Sequence, residues 1–271
     1  MSHQHPSGRR LRVCAVSYLN TVPLVWGMLH GEQRGLFDLD FCVPSECADR
    51  LEDGRADIGI VPSAELPRLG LEIIPGTGIA SRGAVRSILL VSKAPREKIR
   101  VLAVDTSSRT SVQLARILLA LNHGARPRLI PFRPDLAAML EAADGALIIG
   151  DPALRVDIDH SPYQVFDLGE EWTATTGLPM VFAVWGGRKE CIRPDLAEPF
   201  LESCRFGLAH VEDIVRAESA SRGLPEQLVR EYFARNVTLE FGDEEYRGLQ
   251  LFLRYVTEFG ILEPTGKSHA C

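Results

Sequence analysis

The sequence predicts an α/β protein of two βα-rich lobes with a cleft between them and a helical C-terminal segment. Three observations carry this reading. Strand-like apolar runs alternate with helical patterns from residue 11 to about residue 180. Most of the runs are continuously apolar, as suits parallel strands covered on both faces. Beyond residue 190 the apolar residues fall at helical spacing and no further strong strand is found.

Each element follows in order. LRVCAVS (11–17), FDLDFCVPS (37–45) and DIGIVPS (57–63) read as strands, with TVPLVWGMLHG (21–31) and ECADRLEDGRA (46–56) as the intervening helices. RSILLVSK (86–93), RVLAVD (100–105), RPRLIPFR (126–133) and GALIIGD (145–151) continue the strands. Helical patterns at SVQLARILLALNHG (111–124) and PDLAAMLEAA (134–143) separate the last three of them. SKAPREK (92–98), charged and proline-containing, is expected to link the lobes, and GLPMVFAVWGG (177–187) to bring the chain back. The expected organisation is a disordered tail over 1–10, a first lobe from 11–92 and 185–271, and a second lobe from 93–184. In the tail, Pro225 suits a helix start, and Asp243 an N-cap followed by acids. A chain that crosses twice between lobes leaves a cleft, the usual place for a small ligand.

Composition removes several functions. With a net charge of −6 and scattered arginines, the chain has no basic stripe for a nucleic-acid backbone. No apolar run reaches the roughly 18 residues that a membrane span needs. The polar start MSHQHPSGRR, with His3 and His5, does not read as a secretory signal, so a cytoplasmic setting is expected. Six widely spaced cysteines (Cys14, Cys42, Cys47, Cys191, Cys204, Cys271) show no zinc-type spacing and are expected to be reduced and mostly buried. No phosphate loop, dinucleotide fingerprint, nucleophile elbow or metalloprotease motif is present.

What remains is a set of strand ends rich in hydrogen-bonding groups. SSRTS (107–111) follows the strand RVLAVD and opens an apolar helix. A helix start carries unpaired N–H groups and partial positive charge, so Thr106, Ser107, Ser108, Arg109, Thr110 and Ser111 can form an anion cradle. The alternative is a plain N-cap by Ser107 or Ser108. VSYLNTVPL places Tyr18 and Asn20 at another strand end, where helix capping by Asn20 or Thr21 competes with a cleft role. Ser63, the pair Arg86 and Ser87, and Asp151 close three further strands or turns, each with an equally ordinary surface or capping reading.

Taken together, SYLNTVPL, ADIGIVPSAEL, SRGAVRSILLVSK, LAVDTSSRTSVQLARILL, ALIIGDPAL and DLGEEWTATTGLPMVFAVW resemble, in order and spacing from about residue 11 to 186, a family of menaquinone biosynthesis. This is the MqnA/MqnD family of the futalosine route, which contains chorismate dehydratase. The helical tail matches it only in general character. The resemblance implies a two-lobed fold similar to type II periplasmic solute-binding proteins. It also implies a hydro-lyase that converts chorismate to 3-[(1-carboxyvinyl)oxy]benzoate, a small-molecule substrate, no cofactor and no metal. The sister branch acting on cyclic dehypoxanthinylfutalosine, and a non-catalytic solute-binding protein for a small carboxylate, are the competing readings. On this resemblance Asn20, Ser87 and Asp151 are expected to be catalytic. Tyr18, Ser63, Thr106, Ser107, Arg109, Thr110, Ser111 and Gly177 are expected to bind substrate, Ser63 and Ser87 from the first lobe. The proton acceptor is expected to be Asp151 or a carboxylate of the substrate itself.

Overall fold

The computed structural model describes residues 9–259. Most of the expected N-terminal tail, with His3 and His5, and Cys271 lie outside these residues.

Two sheets form the framework. The first has six strands: β1 (Arg12–Val16), β2 (Asp38–Cys42), β3 (Ile58–Pro62), β4 (Glu72–Ser81), β10 (Met180–Gly187) and β11 (Thr238–Glu240), in the order β11-β4-β10-β3-β1-β2. The second has five: β5 (Ile88–Ser92), β6 (Val101–Asp105), β7 (Arg128–Phe132), β8 (Gly145–Ile149) and β9 (Gln164–Asp167), in the order β7-β6-β8-β5-β9. The helices are α1 (Val22–His30), α2 (Pro44–Glu52), α3 (Leu66–Leu69), α4 (Thr110–His123), α5 (Leu136–Ala142), α6 (Gly150–Leu154), α7 (Leu168–Thr176), α8 (Ala197–Ala209), α9 (Val211–Arg222), α10 (Glu226–Glu231) and α11 (Asp243–Glu258).

The parallel arrangement expected of the apolar strands holds where a helix joins them, in β2-β1-β3 and in β7-β6-β8. It fails for β5, antiparallel to β8 and β9, and for β10, antiparallel to β3 and β4. Both strands are entered from the other sheet rather than through a helical crossover, and only a crossover within one sheet imposes parallel pairing. The chain changes sheet between Ser81 and Ile88 and again between Asp167 and Met180, several residues before the boundaries expected at 92/93 and 184/185. SKAPREK is therefore a turn from β5 to β6 within the second sheet, its charge reflecting exposure rather than a hinge.

Sequence patterning also misses β4, because Pro75, Gly76 and Gly78 interrupt its apolar run, and β11, which is only three residues long. The helical tail is otherwise as expected, although Gly242 rather than Asp243 stands at the N-cap of α11. The core lies on both faces of both sheets. Leu114, Ile117 and Leu118 of α4 join Leu102, Val104 and Leu147 beneath the second sheet, while Phe37, Trp185 and Phe200 fill the first. Ile214, Val215, Val229 and Tyr232 of the C-terminal segment form one cluster with Leu19, Val22 and Trp26, and with Leu154 of α6. That cluster packs the C-terminal segment against α1 and α6.

Candidate active site

The C-terminal ends of β1, β3 and β8 converge on a cleft between the sheets, closed from the second-sheet side by the start of α4. Its empty space, counted together with the open solvent at its mouth, is about 500 Å³. Val16, Ile60, Ile79, Ile88, Ile149 and Phe182 make its walls apolar. Tyr18, Asn20, Ser87, Ser108, Arg109, Thr110 and Ser111 supply its polar groups. Among the described residues that line it there is no carboxylate, imidazole or thiol.

The hydroxyl-rich start of α4 does not act as a plain cap. Arg109 occupies the N-cap position and no side chain accepts from the first turn. The N–H groups of that turn, with the hydroxyls of Ser108, Thr110 and Ser111, thus sit beside the cleft as donors. Ser107 is turned back instead. Its N–H and hydroxyl both donate to Asp105 Oδ1, at 2.9 and 2.7 Å, and its Oγ lies 3.0 Å from the Tyr18 hydroxyl. Asp105 is fully buried, and its Oδ2 has no hydrogen-bond partner among the described residues. Burial raises its pKa above the ordinary carboxylate range, against the hydrogen bonds from Ser107.

Thr110 fastens the second sheet to the first, since its Oγ1 accepts from the Ala64 N–H at 3.2 Å and lies 3.4 Å from Ser63 Oγ. Ser63 is fully buried, donates to the Val181 carbonyl at 2.8 Å and does not line the cleft. Arg109 lines the cleft, but its guanidinium is held by Glu65 at 2.9 Å and Asp49 at 2.7 Å, which removes it as a free grip on a substrate carboxylate. Thr106 is exposed outside the cleft. Gly177 also lies outside it and ends α7 in the left-handed conformation, with φ of 72°. Turn geometry accounts for that glycine.

Ser87 sits at the crossing into β5 rather than within the first sheet. The preceding residue, Arg86, is the one non-glycine residue with positive φ (63°) among the described residues. That conformation is held from two sides. Asp167 Oδ2 accepts the Arg86 N–H at 2.6 Å, and the guanidinium donates to the carbonyls of Ala153 and Val156 at 2.9 and 2.7 Å. A strained backbone so firmly fixed next to a cleft serine fits a positioning role. Ser87 Oγ accepts from the hydroxyl of Tyr232 at 2.9 Å, and the same phenol interacts with Asn20. Burial pushes the Tyr232 hydroxyl well above its usual pKa, so it stays a donor.

Asp151 is buried behind the cleft. Its Oδ1 accepts from the Leu19 N–H at 3.0 Å, and its Oδ2 pairs with Arg222 of α9. Both oxygens are engaged, so this carboxylate fixes the loop that presents Tyr18 and Asn20. Tyr232, Asp105 and Arg222 were not among the expected site residues. Tyr232 and Arg222 lie in helical segments with ordinary spacing, and the one available signal was that a buried tyrosine hydroxyl requires a partner.

Comparison with known proteins agrees with this architecture. A chorismate dehydratase of Thermus thermophilus is 30% identical over 255 residues, covering 87% of this chain and 91% of that protein. One from Campylobacter jejuni is 32% identical over 141 residues, covering 52% and 49%. Among solved structures, a protein of Archaeoglobus fulgidus superposes with a TM-score of 0.73 at 18% identity, covering 96% of this chain and 99% of that one. The periplasmic aliphatic sulphonate binding protein SsuA of Escherichia coli gives 0.64 at 14% identity, covering 93% and 87%. The two sheets and their cleft are thus the two-lobed fold of periplasmic binding proteins. The profile of the family described as menaquinone biosynthesis matches residues 11–258, and the chain belongs to that family.

Proposed function

We propose that this protein is a carbon–oxygen lyase that dehydrates chorismate to 3-[(1-carboxyvinyl)oxy]benzoate. The observation that carries the proposal is an apolar cleft rimmed by an uncapped helix start and hydroxyls, with no carboxylate or imidazole among the described residues that line it. Such a site suits a dianionic substrate whose reaction is driven by aromatisation. The named activity of the Thermus relative supports it. A cytoplasmic setting is part of the same proposal, that relative being named as an enzyme rather than a transport protein; among the described residues no helix is long and apolar enough to cross a membrane.

In this reading the first turn of α4, with Ser108, Thr110 and Ser111, binds one carboxylate of chorismate. Ser87 and Asn20 face the ring. Ser87 already accepts a hydrogen bond from the Tyr232 hydroxyl, so its own O–H can donate a hydrogen bond to the departing hydroxyl, which leaves as water with the proton taken from the ring carbon. The proton on the ether-bearing ring carbon leaves, its C–H electron pair becomes part of the aromatic ring, and the C–O bond to the hydroxyl breaks with release of water. With Asp151 engaged by Leu19 and Arg222, the acceptor of that proton is a carboxylate of the substrate. The protein contributes orientation, donors for the leaving oxygen and exclusion of water.

Incubation of the purified protein with chorismate, followed by ultraviolet absorbance and mass spectrometry, tests this directly. An aromatic product lighter than chorismate by one water is expected. Binding of chorismate without turnover would instead identify a solute receptor, and no binding at all would move the assignment to the sister branch of the family.

A further inference from the structure

Three cysteines, Cys14, Cys42 and Cys47, meet in the first sheet and the helix that follows β2. Cys14 on β1 and Cys42 on β2 are diagonal neighbours in a parallel pair, because Cys14 stands opposite Asp40 and Val16 opposite Cys42. Their Sγ atoms are 2.9 Å apart. Cys47, in the first turns of α2, brings a third Sγ to 3.4 Å from the Cys14 carbonyl oxygen. It occupies the space above Gly59, where an added Cβ would stand 2.6 Å from that sulfur. All three sulfur atoms lie within 4.8 Å of one another, and none is in a disulfide.

We infer that these three thiols form a binding site for copper(I). The ligand set is entirely soft, which selects a soft cation over magnesium, calcium or manganese. No fourth His, Cys, Asp or Glu joins the group among the described residues, and Ala48, Leu51, Val61 and Leu66 surround it with apolar atoms. Zinc(II) in a protein almost always takes four ligands, whereas copper(I) is satisfied by three thiolates. Cys14 lines a surface cleft shared with Asp38, Asp40, Arg12, Arg50 and Arg55, which gives the cluster a path to solvent. As each Cu–S bond forms, the thiol releases its proton to solvent; the metal stays monovalent and no electron is transferred. Arg50, which pairs with Asp40 and Glu46, lines the same cleft as Cys14. Occupancy would tie β1, β2 and α2 together through one atom.

The test uses the full-length protein, reduced with a phosphine and kept anaerobic, titrated with copper(I) held by a coloured chelator. Uptake of one copper(I) per chain is expected, with a rise in melting temperature because the ion binds only the folded chain. Cys47→Ala and Cys14→Ser should each lose the stoichiometric uptake, while Cys204→Ser retains it. X-ray absorption of the loaded wild type does not depend on how any variant folds. A shell of three sulfur atoms supports the site. A shell containing nitrogen, uptake unchanged in Cys47→Ala, or no uptake against the chelator overturns it.

Discussion

Ser87 shows how a residue with no unusual chemistry becomes useful through its neighbours. Its hydroxyl accepts from Tyr232, which leaves its own O–H available as a donor beside the cleft, and Arg86 is held at positive φ to place it. Replacing Tyr232 with Phe should lower kcat on chorismate by roughly 10- to 100-fold with little change in KM, because positioning and not affinity is lost. Stability should fall by about 1 kcal/mol from the missing hydrogen bond. A parallel loss in kcat and KM, or an unchanged rate, would contradict a positioning role. Asn20 and Ser87 could be picked out in the sequence as cleft-lining residues because Asn20 follows an apolar strand and Ser87 precedes one. Tyr232 could not, since its helical spacing describes a core residue and only the three-dimensional neighbour reveals what the hydroxyl does. Thr106 and Gly177 share the same segments as true cleft residues, and strand and helix geometry turns them away from it. A linear motif cannot report that rotation.

At the level of elements, the site depends on how strands hand over to helices. The start of α4 reads in sequence as an anion cradle or a cap, and the absence of a side-chain capping bond at Arg109 supports the cradle. The turn from β8 into α6 shows a second constraint. Gly150 has φ of 63°, its N–H donates to the Ser87 carbonyl at 2.8 Å, and an added Cβ would stand 2.7 Å from the Tyr18 ring. Gly150→Ala therefore meets both backbone strain and a clash. A loss of about 2 kcal/mol in chemical denaturation is expected. Tyr18 is half-buried and can yield, so a raised KM for chorismate should accompany the loss. A variant with wild-type stability and KM would show that the ring and the glycine are not coupled. The misjudged lobe boundaries belong to this scale as well. SKAPREK has the composition of a linker, but composition reports exposure, and β5 had already joined the second sheet.

Across the whole molecule, alternation of strands and helices was enough to foresee two βα-rich halves, while the antiparallel entry of β5 and β10 was hidden because an apolar run looks the same in either direction. The assembled halves also bury carboxylates of opposite tendency, and this sets how the protein responds to acid. Asp57, at the entrance to β3, is fully buried; burial alone would raise its pKa, but hydrogen bonds from Arg9 and Arg12 outweigh this and hold it well below the ordinary carboxylate range. The unfolded chain therefore binds a proton there at a higher pH than the native state does, so this stabilisation is present above the unfolded pKa of about 4 and is lost as pH falls below it. Asp105 acts in the opposite sense. Its raised pKa makes its contribution largest below the ordinary carboxylate range and diminishes it as pH rises through the folded value. Asp57 accepts hydrogen bonds from Arg9, Arg12 and the Arg12 N–H and has Arg188 at 3.9 Å, whereas Asp105 holds only Ser107, so the Asp57 trend should dominate in acid. Urea midpoints measured from neutral pH downward should fall steadily once the carboxylate range is reached. Asp57→Asn should lower stability by about 2 kcal/mol at neutral pH and flatten that fall, since the charge that acid would neutralise has already been removed. An equally steep acid loss in Asp57→Asn would place the sensitivity elsewhere, and a shallower one in Asp105→Asn would reverse the ranking of the two groups.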